Sequence, residues 1–489
     1  MKPYVITIDQ STTNTKLFLL NDKGEILAHF EKKHKQIYPQ NGWVEHDPIE
    51  IYENMMSVLK QAIDAYPQLK QQLAAISITN QRETALAWNG KTGKPIMHAI
   101  VWQCRRTKDI CEEFKPYEAL INEKTGLKID PYFSATKWVW MMRNMEMKGN
   151  DIHLGTMDSW LIYCLSNDHV HVCDHTNASR TLLYNLHTCT WDDALLDIFQ
   201  IPKQALPIIK HSDEVFGYTN LQGLLDEEVP IIGVIGDSQS ALYAQNCTKP
   251  GDVKITLGTG SSVLMNQGNN RAEAKHGLVT TLAWKLTNTT QYASEAIINS
   301  CTDTLNWLRD ELRIFDNDEE LNALQIKDLR QETVMMIPAF HGISLPYWNS
   351  TCKAAILNIS RNTTRKNFLC AGLCSIAFQI QDALSAMKEN SQLSVNVIMA
   401  DGGATHNQNL MQFLSDVCNC EIRVKNVSDL SAMGAYHIAA LKLFNQSISE
   451  EKEMQIYTPK IFQDERDELL ARWHKAIEKI VYKEVPYEK

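Results

Sequence analysis

Two strand-turn-strand segments, one in each half of the chain, constrain the fold more than any other feature. Tyr4 to Leu20 carries apolar Val5, Ile6 and Ile8 into Asp9-Gln10-Ser11-Thr12-Thr13-Asn14, then into Lys16-Leu17-Phe18-Leu19-Leu20. Val253 to Met265 carries Lys254-Ile255-Thr256-Leu257 into Gly258-Thr259-Gly260-Ser261-Ser262, then into Val263-Leu264-Met265. Turns of this composition put backbone N–H groups and hydroxyls where an anion docks, and glycine admits close approach. The repeated hairpin predicts two related domains that hold phosphate groups from opposite sides.

Bulk properties agree with that reading. At 489 residues the chain exceeds what one hydrophobic core serves, and two domains are expected. Apolar residues at 44% and charged residues at 22% are those of a globular protein with large cores. A net charge of −10, without a basic run, argues against nucleic acid or an anionic membrane surface as partner. No stretch approaches the roughly 18 apolar residues of a membrane span. None of signal-peptide length precedes Asp9. The twelve cysteines are scattered without a paired CxxC spacing, which favours buried reduced thiols and a cytoplasmic location.

Local signals place the motifs. Ile26 to Phe30 reads as a third strand of an antiparallel meander, and a helix follows with Asp47 as N-cap, Pro48 in the first turn and Glu50 completing a capping box. Tyr52, Met55, Met56, Leu59, Ala62 and Ile63 form its apolar face. Ala74 to Thr79 is a strand ending in Asn80-Gln81-Arg82-Glu83-Thr84, and charges at such a strand end mark a ligand crevice. Later come an amphipathic helix from about Thr364 to Lys388, with Phe368, Leu369, Leu373, Ile376, Ala377, Ile380 and Leu384 on one face, and a strand from Val395 to Ala400. A tight turn at Asp401-Gly402-Gly403-Ala404 leads from that strand into a helix near Asn407, a place for a phosphate or the edge of a nucleotide. Asp464 to Lys483 reads as a packing helix, and the join between halves falls near Ala241 to Pro250.

Six stretches carry a family resemblance: Asp9-Gln10-Ser11-Thr12-Thr13, Gly42-Trp43-Val44-Glu45-His46-Asp47, Ile78 to Thr84, Trp102-Gln103-Cys104-Arg105-Arg106, Asp130-Pro131-Tyr132-Phe133-Ser134 and Thr176-Asn177-Ala178-Ser179-Arg180. Together they resemble the FGGY carbohydrate kinases, from Tyr4 to about Leu443, densely in the first half and more thinly in the second. The resemblance implies an α/β fold of two ribonuclease H-like domains, as in actin and hexokinase, with a catalytic cleft between them. Residues 1–243 would form the substrate side and 244–489 the nucleotide side. The implied reaction is ATP-dependent phosphorylation of a terminal hydroxyl of a small polyol, glycerol foremost. A larger polyol or ketose is the alternative acceptor, and a catalytically weak nucleotide- or sugar-binding relative is the alternative class.

The same resemblance implies roles. Asp237 matches the general base, against the reading that it caps a helix beginning near Ser240; a carboxylate can accept the proton of the attacking hydroxyl. Arg82 and Glu83, able to donate to and accept from hydroxyls, match the substrate pair, with Trp102, Tyr132, Ser238 and Ser262 beside them. Thr12, Thr13, Asn14, Lys16, Thr259, Gly260, Thr302, Asn306, Gly403 and Asn407 match nucleotide contacts, and Asp9 the residue that holds Mg2+ through water. A homodimer or homotetramer is implied as well.

Departures cluster around the acceptor and in the second domain. Ser238 stands where glycerol-phosphorylating members have glutamine and Ser262 where they have phenylalanine, which makes the pocket roomier and more polar. Lys16 replaces arginine and loses its fork. Thr302 replaces glycine, Asn306 glutamine, Ser11 glycine and Cys374 glutamate. Asn220 to Glu228 lacks the loop through which some members bind a sugar bisphosphate regulator.

Overall fold

The computed structural model describes residues 2–145, 151–275, 277–340, 342–343, 345–349, 351–425, 429–446 and 454–481. The chain divides into two compact units: Met1–Asn246 with Thr280–Tyr292 and Ser428–Ser449, and Cys247–Val279 with Ala293–Val427 and Glu450–Lys489. The first crossing lies within the stretch expected for the join. Two later segments also belong to the first unit, which a single cut after residue 243 leaves out.

The first unit is built on six strands: β1 (Tyr4–Gln10), β2 (Asn14–Asn21), β3 (Ile26–Lys33), β4 (Leu73–Asn80), β5 (Val215–Thr219) and β6 (Val229–Gly236), in the order β5-β6-β4-β1-β2-β3. The expected meander is present, with Asp9 opposite Lys16 in the β1–β2 hairpin. β1 and β6 both run parallel to β4, with Asp9 beside Thr79 and Gly236 beside Asn80. Parallel strands covered on both faces read as apolar runs, as Val229-Pro-Ile-Ile-Gly-Val-Ile-Gly236 does. The carboxyl ends of β1, β4 and β6 therefore lie side by side.

Helix α1 (Pro48–Ala65) begins where expected, and Asp47 accepts from the Ile49 N–H at 2.8 Å, a cap worth about 1 kcal/mol. Glu50 does not complete the capping box; its carboxylate accepts from the Lys35 N–H at 3.2 Å. The buried face comprises Ile51, Met55, Val58, Leu59, Ala62 and Ile63, with Tyr52 and Met56 half-buried at its margin. Helix α2 (Ser134–Asn144) follows the Asp130–Phe133 loop, and α3 (Asp237–Ala244) leaves β6 directly.

In the second unit β7 (Asp252–Leu257) pairs antiparallel with β8 (Ser261–Gly268), as β1 does with β2. Beyond β8 lies β9 (Thr289–Ile298), of which Ala293 onward belongs to this unit. On the other side come β10 (Val397–Asp401) and β11 (Ile422–Lys425), both parallel, then antiparallel β12 (Met454–Tyr457). A hairpin followed outward by two parallel strands is thus common to both sheets, as the repeated turn motif predicts.

Helices α4 (Thr302–Asp310), α5 (Arg365–Ser391) and α6 (Gln408–Cys418) surround this second core. The expected single apolar face of α5 is exceeded: nearly every residue from Leu369 to Met387 is buried, because helices and sheet cover it all round. Among the described residues α5 is long and apolar enough to cross a membrane, but 89% of its apolar window is buried inside the protein. The expected packing helix, α8 (Gln463–Val481), stacks Trp473 on Phe378 at 5.2 Å, and the indole N–H donates to Asp382 at 2.7 Å. Residues 482 and 483 of that expected helix lie outside the described residues.

Helix α7 (Leu430–Phe444) precedes α8 in the chain but packs in the first unit. Its small face explains why: a Cβ on Gly434 would lie 2.0 Å from the Ser240 carbonyl oxygen, so only glycine lets α7 approach α3 this closely.

Candidate functional site

In the first unit the strand ends bring three of the expected residues together. Arg82 and Glu83 follow β4 and are almost fully buried; Asp237 follows β6 and keeps 38% of its side chain exposed. The Arg82 Nε lies 3.5 Å from Glu83 Oε1 and 3.4 Å from Asp237 Oδ1, and its Nη1 donates to Gln239 Oε1 at 3.2 Å. One guanidinium thus links both carboxylates. Asp237 is not the cap of a helix starting near Ser240: α3 starts at Asp237, Gly236 is its N-cap, and Asp237 Oδ1 accepts from the neighbouring Ser238 N–H at 2.6 Å. It stands at a helix start, where the dipole favours an anion.

Several quoted motifs support this pair from behind. Arg180 Nε donates to Glu83 Oε1 at 2.6 Å, with its guanidinium 5.2 Å from the Phe133 ring. The hydroxyl of Thr176 accepts from the Gly236 N–H at 2.8 Å, and Asn177 Oδ1 accepts from Asn80 Nδ2 at 2.9 Å. Buried Asp174 accepts from the N–H groups of Thr176 and Asn177, which fixes that turn against the ends of β4 and β6. Trp102 and Tyr132 pack edge to face at 5.5 Å, and the Trp102 indole donates to Thr12 Oγ1 at 3.0 Å. The aromatic pair therefore reaches from the β4 end to the first turn.

That turn is dense in charge. Asp9 is buried, and burial pushes its pKa up to about 7; Lys16 opposes the rise, while Asp237 and Asp429 add to it. Ser431 Oγ donates to Asp9 Oδ2 at 3.3 Å. Lys16 meets Asp429 at 2.6 Å; burial works against the ammonium, but the hydrogen bond and charge of Asp429, with Asp9, hold its pKa above the ordinary value. Thr12 and Thr13 are tied through their carbonyls to Gln36 Nε2 at 2.8 Å and the His34 N–H at 3.1 Å. Asn14 Nδ2 donates to Glu31 at 3.3 Å. Asp429 and Ser431 were not legible in the sequence, since nothing local to them signals partners 413 and 422 positions away.

In the second unit a cavity of about 450 Å³ opens beside the glycine turn. Gly258, Thr302, Asn306, Gly403 and Asn407 line it, together with Arg309, Phe315 and His406, which the motifs do not announce. The size suits a small-molecule ligand. The Thr302 N–H donates to the Gly258 carbonyl at 3.0 Å and the Cys301 N–H to that of Thr259 at 2.9 Å, so the turn is fastened to the start of α4. Asn407 is the N-cap of α6, its Oδ1 accepting from the Leu410 N–H at 2.8 Å. Asn306 Oδ1 accepts from Arg309 Nη2 at 3.3 Å. Thr259 and Gly260 stand at the turn itself rather than on the cavity wall. Ser262 points its hydroxyl at Glu295 Oε1, 3.3 Å away on β9. Cys374 is a buried thiol donating to the Leu329 carbonyl at 3.5 Å.

A repeated hairpin sheet, with an acidic and hydroxyl-rich turn in one unit and a glycine turn beside a cavity in the other, defines a two-domain α/β phosphotransferase. The N-terminal domain of the FGGY family of carbohydrate kinases matches residues 4–244, and its C-terminal domain matches residues 253–443. The chain belongs to that family and is an enzyme of the carbohydrate kinase class. It is 40% identical to glycerol kinase of Pseudothermotoga lettingae over 97% of each chain. It is 41% identical to glycerol kinase 1 of Thermotoga maritima, covering 98% of this chain and 99% of the relative. Among solved structures, Plasmodium falciparum glycerol kinase with ADP superposes with a TM-score of 0.91 at 31% identity, over 98% of both chains.

Proposed function

We propose that this kinase transfers the γ-phosphoryl group of ATP to a terminal hydroxyl of a small polyol, glycerol to sn-glycerol 3-phosphate first among them. The observation that carries the reading is the gathering of Arg82, Glu83 and Asp237 at adjacent strand ends, with one guanidinium between two carboxylates. The identity of about 40% with glycerol kinases along nearly the whole chain supports glycerol as acceptor.

Arg82 and Glu83 would donate to and accept from the polyol hydroxyls, while the Trp102–Tyr132 pair offers an apolar wall to the carbons and Tyr132 a phenolic hydroxyl. Asp237 accepts the proton of the attacking hydroxyl as its oxygen bonds to the γ-phosphorus. The bond from that phosphorus to the bridging oxygen breaks, and ADP leaves with the electron pair. Little covalent work falls to the protein; positioning and charge carry the catalysis. The nucleotide is assigned to the cavity walled by Thr302, Asn306, Gly403 and Asn407, and its phosphates to Thr259, Gly260, Thr12, Thr13, Asn14 and Lys16.

Asp9 fits a hard divalent cation. It is a buried carboxylate that burial and neighbouring acids hold near pKa 7, and a cation would restore its ionised form. Magnesium keeps most of its waters and needs few protein carboxylates, so Asp9 would hold it through water. Bound there, the ion supplies charge neutralisation for the nucleotide phosphates. The twelve free cysteines, all buried except Cys164 and Cys189, support a reducing cytoplasmic location.

Ser238 and Ser262 support a second reading, in which the acceptor is a longer polyol or a ketose, because small hydroxyls replace bulkier groups at both positions. Coupled ADP release across glycerol, erythritol, pentitols and ketopentoses tests both. Glycerol turning over fastest is the expected result. No turnover of glycerol beside turnover of a longer acceptor would replace the first reading by the second, and no turnover of any acceptor would refute both.

A further inference from the structure

Lys137 is fully buried in the first turn of α2, and the reaction as described makes no use of it. Its ammonium donates to three carbonyl oxygens: that of Glu83 at 3.2 Å, that of Phe133 at 3.2 Å and that of Tyr132. An ammonium has three donors and no acceptor, so all of its bonding capacity is spent here. The acceptors come from two loops, one after β4 and one before α2, and Glu83 and Tyr132 are the very residues assigned to the acceptor polyol. Ser134, three positions earlier on the same helix, also donates its hydroxyl to the Glu83 carbonyl at 3.2 Å.

We propose that Lys137 is a positioning residue for the acceptor, fixing the Glu83 and Tyr132 loops in one register through its three carbonyl contacts, with Ser134 as a weaker second tie. The inference rests on Glu83 and Tyr132 binding the polyol. A purely structural role would be filled at lower cost by an apolar side chain, because a buried charge is tolerated only when it is fully bonded. Burial acts strongly on this ammonium, bringing its pKa down to about 7, with the Glu83 charge opposing the fall. What the lysine gains over an apolar residue is directional hold on both loops. On the far side Arg180 holds the Glu83 carboxylate, so the residue is gripped at backbone and side chain alike.

The test compares Lys137→Met and Ser134→Ala with the unaltered enzyme, measuring kcat, the KM for the fastest acceptor, the KM for ATP and the thermal midpoint. Small misplacements at a reacting centre cost up to about 100-fold, so Lys137→Met should raise the acceptor KM by about 10-fold or more and leave the ATP KM near its original value. Ser134→Ala should move the same constant in the same direction by less. A change that scales both substrates equally, or that lowers only the thermal midpoint, overturns the inference. If Lys137→Met yields no folded protein, Ser134→Ala decides, and an unaltered acceptor KM in it is the contrary result. Glu83→Gln and Tyr132→Phe separate the two layers. An unchanged acceptor KM in both removes the substrate assignment and the inference with it; a raised KM in them beside unaltered values in the α2 variants overturns the inference alone.

Discussion

The two hairpin turns look alike in sequence and are held in different ways. The first, from Asp9 to Lys16, is fixed by charged and polar side chains: Lys16 with Asp429, Ser431 with Asp9, Trp102 with Thr12 and Gln36 with the Thr12 carbonyl. The second, from Gly258 to Ser262, is fixed mainly by the main chain, beside the Ser262–Glu295 side-chain bond: Gly258 N–H to the Gly260 carbonyl at 3.1 Å, and the Gly258 and Thr259 carbonyls to the start of α4. One turn brings charge to its ligand, while the other brings backbone N–H groups and closeness. A single phosphate-binding motif can thus be supported by opposite means, and the two should respond differently to substitution.

Side-chain removal should hurt the first turn most. Lys16→Met leaves Asp429 and Asp9 without their cation, and hydrogen bonds to charged groups contribute about 1.5–3 kcal/mol, so kcat/KM for ATP should fall by about 10- to 100-fold. Thr259→Ala, a side-chain truncation in the second turn, should change it by much less. Equal losses in the two variants would break the comparison. Backbone perturbation should show the reverse order: a Cβ on Gly260 would lie 2.7 Å from the Ile298 carbonyl oxygen, so Gly260→Ala should weaken ADP binding measurably by calorimetry. Unchanged ADP affinity in Gly260→Ala would show that the second turn is not held as described.

The first turn also carries a proton-sensitive support. His46 Nε2 donates to Gln36 Oε1 at 2.8 Å, Gln36 in turn donates to the Thr12 carbonyl, and burial, with the His34 charge adding, brings the His46 pKa down to about 3. Above pH 6.5 the ring is neutral in both folded and unfolded chains, and its contribution is fully present. Below it the unfolded chain binds a proton that the folded one refuses, so stability falls by up to about 1.4 kcal/mol per pH unit until the folded pKa is reached. Thermal midpoints of the unaltered enzyme and His46→Asn should therefore converge between pH 7 and 5. Parallel curves would show that His46 does not titrate this way. The smallest effect is expected at Ser262: Ser262→Phe should lower turnover of erythritol and pentitols relative to glycerol, and an unaltered acceptor ranking would remove Ser262 from the specificity argument.

Local pattern made the hairpins, α1 and the strand end at Arg82–Glu83 readable, because apolar runs either side of a small-residue turn, an Asp-Pro helix start and charges after an apolar run each report on a few neighbours. Readings failed where the cause was distant. The apolar face of α5 broadened to the whole helix because two sheet-facing and helix-facing sides are covered together. α3 begins at Asp237 rather than near Ser240 because the Gly236 N–H is bonded to the Thr176 hydroxyl and the strand ends there. The return of α7 to the first unit, and with it Asp429 and Ser431 beside Asp9, depends on Gly434 meeting Ser240, a contact that no window of sequence contains. Lys137 reads as an ordinary helical lysine until the three carbonyls around it are seen.

The central claim is that Asp237 takes the proton from a polyol hydroxyl during phosphoryl transfer. Asp237→Ala, measured for acceptor-dependent ADP release and, by calorimetry, for ADP affinity, tests it most directly. The account predicts a loss of turnover of about 10²- to 10⁴-fold with ADP affinity unchanged. Turnover that survives the substitution would contradict it.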